Sequence, residues 1–196
     1  MKIHVTGDSL MARLEDADIP MVNLKLYDLD PTLRVMNSAI SGNSTRDLLA
    51  RFEDIIMDNQ SEYLFVLVGT NDLATDRDVS PQEFEKNLNQ LIDIFATRFM
   101  TRRIHFLLPP PVDEAKQTKR SNQRLAQYGQ LITKVCQEKA CRALDLNQAF
   151  RDAATDDMPL DRILIGIKDD GLHFGQKGYE ILAKTIYGAL KVNEKS

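Results

Sequence analysis

A chain of 196 residues with 43% hydrophobic content is long enough for one domain with a sizeable core, and a single domain spanning 1–196 is expected. Its net charge of −4 excludes the basic field of a nucleic-acid binder, and no run approaches the roughly 18 apolar residues of a membrane span. The apolar stretch after Met1 reaches Gly7 too soon for a secretion signal, so a cytoplasmic protein without stable membrane insertion is expected.

In chain order, Ile3 to Thr6 reads as a short strand that ends at Gly7. Arg34 to Ser38 is a second strand, closing near Gly42. Ser44 then reads as an N-cap with Asp47 at the third helical position, ahead of Leu48, Phe52, Ile55 and Ile56 on one helical face. Tyr63 to Val68 is an unbroken apolar run, as expected of a strand buried on both faces of a parallel sheet. Ser80-Pro81-Gln82-Glu83 is a capping box, and Phe84, Leu88, Leu91, Ile92, Phe95 and Phe99 follow at helical spacing. Ile104 to Leu108 is a fourth strand, stopped by three prolines. Lys116, Lys119 and Arg120 read as the exposed start of a helix whose buried stripe is Leu125, Tyr128, Ile132 and Val135. Arg142 to Leu146 is a fifth strand, and Tyr179, Leu182, Ala183, Ile186 and Leu190 mark a final helix. Cys136 and Cys141 lie apart from any metal motif and read as thiols at core or helix-end positions. Alternating strands and helices imply right-handed crossovers and a mainly parallel sheet with helices on both faces. Functional residues of such sheets lie just beyond the carboxyl ends of the strands.

Three strand-end turns hold unusual residues: Gly7-Asp8-Ser9-Leu10, Ser41-Gly42-Asn43-Ser44 and Gly69-Thr70-Asn71-Asp72. A fourth segment, Asp170-Gly171-Leu172-His173, precedes the last helix. Acyl transfer by a serine needs a neighbouring base, a carboxylate that orients the base, and donors for the oxyanion. Of three histidines, His4 and His105 lie inside strands, where a core role is expected, which leaves His173 as the base. Asp170 stands three residues before it; Asp169, next door, is the alternative carboxylate. Ser9 suits the nucleophile, although it could also cap the helix that follows it. The Ser9 and Gly42 N–H groups and the Asn71 side chain suit an oxyanion hole, although Asn71 and Gly42 could also be ordinary turn residues. Asp8 is expected to hold its turn by local hydrogen bonds, and Asp72 to orient the Asn71 loop. Asn43 and Thr70 are weaker substrate contacts.

These four blocks together resemble the SGNH or GDSL hydrolases, and the resemblance runs from Ile3 to the helix after Gly178-Tyr179. It implies an α/β/α sandwich with a flavodoxin-like five-stranded parallel sheet in the order 2-1-3-4-5. It also implies hydrolysis of esters or thioesters, with no metal or other cofactor and a small-molecule ester as the partner. The family's nucleophile falls on Ser9, its oxyanion donors on Ser9, Gly42 and Asn71, and its aspartate-histidine pair on Asp170 and His173. Family members often carry Ile-Thr or Leu-Thr after the serine, whereas here Leu10 precedes Met11, which would make the pocket more apolar if Met11 faces it. The loops expected to line that pocket are 11–22, 109–121 and 154–169, with Met11, Leu14, Ile19, Met21, Val112, Met158, Leu160 and Ile163 as its apolar residues. A non-catalytic acyl-binding module on the same fold is the alternative reading, though every catalytic position is filled. A flavin-binding flavodoxin-like protein is disfavoured, because Asp8 sits where a phosphate loop would bind.

Overall fold

In the computed structural model, which describes residues 1–77 and 79–193, the strand-helix alternation read from the sequence becomes a five-stranded parallel sheet. In chain order the elements are β1 (Lys2–Gly7), α1 (Ser9–Ala12), α2 (Met21–Leu29), β2 (Arg34–Asn37), α3 (Thr45–Ala50), α4 (Glu53–Ile56) and β3 (Tyr63–Leu67). There follow α5 (Pro81–Phe95), β4 (Ile104–Leu107), α6 (Asn122–Glu138), β5 (Arg142–Leu144), α7 (Leu146–Asp152), α8 (Leu160–Ile163) and α9 (Gln176–Asn193). The strand order is β2-β1-β3-β4-β5, the flavodoxin-like order.

Side-chain alternation along the strands divides the core in two. Ile3 and Val5 of β1, with Tyr63, Phe65 and Leu67 of β3, pack against α1, α2, α7, α8 and α9. Leu64 and Val66 of β3, with Ile104 and Phe106 of β4, pack on the other face against α3, α4, α5 and α6. The chain leaves β1 toward one face and β3 toward the other. Their carboxyl ends therefore flank a topological switch point, the place where such sheets open a crevice. Register brings those ends level, because Gly7 pairs with Leu67. Gly7 has φ of 142°, and a Cβ there would lie 2.0 Å from the Leu67 carbonyl oxygen, so only glycine allows this approach.

Several local expectations are corrected. The helix expected from Ser44 through Ile56 breaks at Arg51 (φ −128°, ψ 28°), whose Nε reaches back 2.5 Å to Asn43 Oδ1; Leu48 and Ile55 are still buried. The fifth strand stops at Leu144 rather than Leu146, because Asp145 caps α7 by accepting from the Gln148 N–H. Ser9 does not cap α1; Asp8 does, accepting from the Leu10 N–H at 2.9 Å. Lys116, Lys119 and Arg120 are not a helix start, since α6 begins at Asn122 with Ser121 as its cap. Met11, Val112 and Ile163 are at most 3% exposed and closed into the core, whereas Met21, 2% exposed, borders a cavity with Ile19 and Leu24. The α2, α7 and α8 helices lie where the sequence showed no helical stripe. No described helix is long and apolar enough to cross a membrane.

Candidate active site

Four turns converge at the carboxyl ends of β1 and β3. Asp8, fully buried at the foot of α1, fixes the first. Its Oδ1 accepts from the Leu10 N–H and its Oδ2 from the Thr70 hydroxyl at 2.6 Å, which joins the turn after β1 to the turn after β3. Burial pushes the Asp8 carboxyl up to about 6, against the pull of these hydrogen bonds and of the Arg120 charge. The expectation of a turn-holding aspartate is met, with a longer reach than a local bond. Thr70 is 1% exposed and spends its hydroxyl on Asp8, so it is a brace and not a surface for substrate.

Ser9, half-buried at the first position of α1, places Oγ 2.8 Å from His173 Nε2. The other imidazole nitrogen, Nδ1, lies 2.7 Å from Asp170 Oδ2. Asp170 Oδ1 accepts from the backbone N–H groups of Leu172 and His173 at 3.0 and 2.9 Å, so the carboxylate is locked against the ring it faces. Gly171, with φ of 73°, makes this tight loop possible. Asp169 points elsewhere and pairs with Lys116 Nζ at 2.5 Å, which separates the two neighbouring carboxylates by function of place. Partial burial works against the Asp170 anion, but the His173 N–H, the imidazole and the Leu172 N–H outweigh it and hold its pKa below the ordinary value. For His173, burial dominates and lowers the pKa, opposed by the hydrogen bond and charge of Asp170; Arg13 and Lys168 add to the lowering. The imidazole is thus neutral at neutral pH and free to take a proton at Nε2.

The second and third turns are joined to β1 and to each other. Residues 40–43 are fastened to β1 through the Ile40 N–H on the Gly7 carbonyl at 3.1 Å. Gly42 follows with φ of 86°. Asn71 is 7% exposed; its Nδ2 donates to the Asn43 carbonyl at 2.9 Å and its Oδ1 accepts from Arg120 Nη2 at 2.8 Å. Asp72, fully buried, accepts from the Thr45 N–H and hydroxyl at 2.9 and 2.5 Å, and Asn87 Nδ2 donates to that hydroxyl at 2.9 Å. Asp72 therefore anchors the Asn71 turn to α3. Asn43 accepts from Arg51 and is 9% exposed, a packing role rather than an open contact.

All five residues singled out by the sequence are in this cluster of turns. His4 and His105 are not. His4 is buried with its ring nitrogens on Asp58 and Ser38, and His105 stacks on Phe65 with centroids 4.6 Å apart. Arg120 is the residue the sequence did not reveal, and only its 49-residue reach to Asn71 shows it. Among the described residues no group of three or more His, Cys, Asp or Glu side chains has the arrangement of a metal site. Cys136 is buried and Cys141 half-buried, both as free thiols.

A hydroxyl, an imidazole and a carboxylate in line, at the switch point of a parallel α/β/α sheet, define a hydrolase architecture. The chain belongs to the GDSL-like lipase/acylhydrolase family, whose profile matches residues 5–181, and is accordingly a carboxylic ester hydrolase. It is 25% identical over 162 residues to an acetylxylan esterase of Geobacillus stearothermophilus, covering 79% of this chain and 70% of that protein. Its fold superposes on the lipase/acylhydrolase from Enterococcus faecalis with a TM-score of 0.82, at 24% identity over 98% of this chain and 96% of that one. The Axe2 acetylxylan esterase from Geobacillus stearothermophilus superposes with a TM-score of 0.75, at 22% identity over 96% and 93% of the two chains.

Proposed function

We propose that Ser9 is the nucleophile, His173 its general base and acid, and Asp170 the carboxylate that orients the imidazole. The Ser9 N–H, the Gly42 N–H and Asn71 Nδ2 are the oxyanion donors. The observation that carries this reading is the continuous line from Ser9 Oγ to His173 Nε2 and from Nδ1 to Asp170, at 2.8 and 2.7 Å. Asp170 holds the Nδ1 proton, so Nε2 presents its lone pair to Ser9. As the Ser9 oxygen bonds to the ester carbonyl carbon, its proton passes to His173, and the carbonyl oxygen becomes an oxyanion facing the three donors. Collapse of this intermediate breaks the carbon-oxygen bond to the alcohol, which leaves with the proton from His173. Water repeats the sequence on the acyl-enzyme, yielding the carboxylic acid and free Ser9.

The substrate is an ester of a short acyl group, such as acetate, on a polar alcohol that stays in solvent. Apolar side chains adjoining the triad in sequence, Leu10, Met11, Leu172 and Phe174, are 0–5% exposed and closed into the core. These four are therefore not open to receive a long chain. Exposed apolar groups on the loops carrying Gly42 and His173 are single side chains, Ile40, Ile165 and Ile167. A cavity of about 420 Å³ lies between α6 and α7 and contains none of Ser9, Gly42, Asn71 or His173. An acetylated sugar fits this description, as the name of the acetylxylan esterase relative also suggests.

Hydrolysis of p-nitrophenyl esters of increasing chain length, by the wild type and by Ser9→Ala, tests both parts. Activity highest on acetate and abolished in Ser9→Ala is expected. Equal activity in the two proteins would remove Ser9, and an optimum at eight or more carbons would remove the short-acyl site.

A further inference from the structure

Arg120 enters the site from the loop between β4 and α6 and grips the Asn71 turn with two edges of its guanidinium. Nε donates to the Thr70 carbonyl at 2.7 Å, and Nη2 donates to Asn71 Oδ1 at 2.8 Å. A guanidinium has five N–H donors and no acceptor. The Asn71 atom that faces it must therefore be the amide oxygen. This fixes which way round the amide lies: Nδ2 turns toward the Asn43 carbonyl, where one of its two hydrogens is spent at 2.9 Å. The second hydrogen is left for an oxyanion. Were the amide reversed, its NH2 would meet the guanidinium donors, and its oxygen would meet both the Asn43 carbonyl and the substrate oxyanion. Each of those contacts is repulsive. Without Arg120 only the Asn43 carbonyl would favour this orientation, because oxygen and NH2 are nearly the same size.

The same side chain reaches the acid end of the site. Arg120 Nη1 donates to Gln117 Oε1 at 3.3 Å, and Gln117 Nε2 donates to the Asp170 carbonyl at 2.6 Å. The loop is also tied to the base loop by the Asp113 N–H on the Gly171 carbonyl at 2.9 Å. Segment 113–120 is thus a clasp between the Asn71 turn and the Asp170–His173 loop. Arg120 is half-buried and touches neither Ser9 nor His173 through any of these bonds.

We propose that Arg120 is a positioning residue, which orients the Asn71 amide so that an Nδ2 hydrogen always faces the oxyanion. The inference rests on the reading of Asn71 as an oxyanion donor. Since Arg120 acts through Asn71, its effect belongs to the transition state and not to ground-state binding of the ester.

A double-mutant cycle separates this role from mere structural support. The kinetics of p-nitrophenyl acetate hydrolysis are measured for wild type, Arg120→Ala, Asn71→Ala and the double variant, each checked for its folded state by thermal melting. Loss of an oxyanion donor lowers kcat by about 100–1,000-fold, and Arg120→Ala is expected to lower it by roughly 10–100-fold with KM within about twofold. In the Asn71→Ala background, Arg120→Ala is expected to change kcat by less than about twofold. Arg120→Lys keeps the charge but cannot hold Thr70 and Asn71 with one fork. It is expected to lower kcat only where Asn71 is present, and it serves as the cycle if Arg120→Ala does not fold. Losses that multiply would overturn the inference, as would wild-type kcat in Arg120→Ala or a change confined to KM. Full activity in Asn71→Ala would overturn the oxyanion assignment itself and take this inference with it, whereas a large Asn71→Ala loss with additive Arg120 effects sinks the inference alone.

Discussion

Replacing Asp170 by Asn changes one atom and reverses a hydrogen bond. In the native protein, Oδ2 accepts from His173 Nδ1 at 2.7 Å, while Oδ1 accepts the Leu172 and His173 N–H groups. An Asn side chain keeps its oxygen on those two backbone donors, because an NH2 group there would oppose both. Its NH2 then faces the imidazole and can only donate, so Nδ1 must accept. The ring proton moves to Nε2, where it points at Ser9 and blocks removal of the hydroxyl proton. The loop retains both backbone bonds, so thermal stability is expected to change little. The catalytic loss is large: a triad histidine held in the wrong tautomer lowers kcat by about 10⁴-fold. The assay is kcat/KM on p-nitrophenyl acetate beside a thermal melt, with Asp169→Asn as the comparison. Asp169 pairs with Lys116 instead of the imidazole, so its variant should stay within about threefold of wild type. A folded Asp170→Asn enzyme within tenfold of wild type would refute the reasoning, and a dead Asp169→Asn would transfer the acid role to Asp169.

Two further outcomes concern pH. The His173 pKa lies below its usual 6.5 because burial outweighs the Asp170 charge, so kcat/KM should rise with pH and reach half its plateau below pH 6.5. In the residual activity of Asp170→Asn, loss of the opposing charge should move that limb to still lower pH; a shift upward would contradict it. Away from the site, Asp58 is held down to about 2: burial opposes the anion, but the Ser61 hydroxyl, the Gln60 N–H and the His4 and Lys2 charges outweigh it. A folded pKa below the unfolded value of 3.8 contributes stability that is present above pH ~4 and lost as pH falls toward 2, amounting to about 2 kcal/mol at neutrality. Asp58→Asn should therefore lower unfolding free energy in urea by up to about 2 kcal/mol at pH 7 and flatten the decline below pH 4. An unchanged acid limb would show that another carboxylate controls it.

What the sequence reveals depends on whether the information is local. Ser9, Gly42, Asn71 and the Asp170–His173 pair sit in turns marked by glycine at the ends of apolar runs, and the sheet order follows from the family those turns resemble. The strands of β3 and β4 are legible because burial on both faces demands continuous apolar residues, such as Leu64 to Leu67. By contrast, α2 starts after Pro20 with no side-chain cap. The α8 helix is one turn long, also without a side-chain cap. Neither offers the stripe or start signal that announced α5. Met11 shows the other limit: it is two residues from Ser9 in sequence, yet a single turn of α1 carries it into the core. Arg120 reads in sequence as an exposed helix start because its partners, Thr70 and Asn71, are fifty and forty-nine residues away. No spacing rule reaches that far.

Ser9 and His173, the proposed nucleophile and base, stand 164 residues apart in the chain. A fragment ending between residues 71 and 169 would hold Ser9, Gly42 and Asn71 but neither Asp170 nor His173, and so is expected to be silent however well its sheet formed. Esterase turnover in this protein is thus a report on chain closure: it registers the docking of the last loop and α9 onto the rest. Two complementary pieces, each inert, would regain activity only by finding one another.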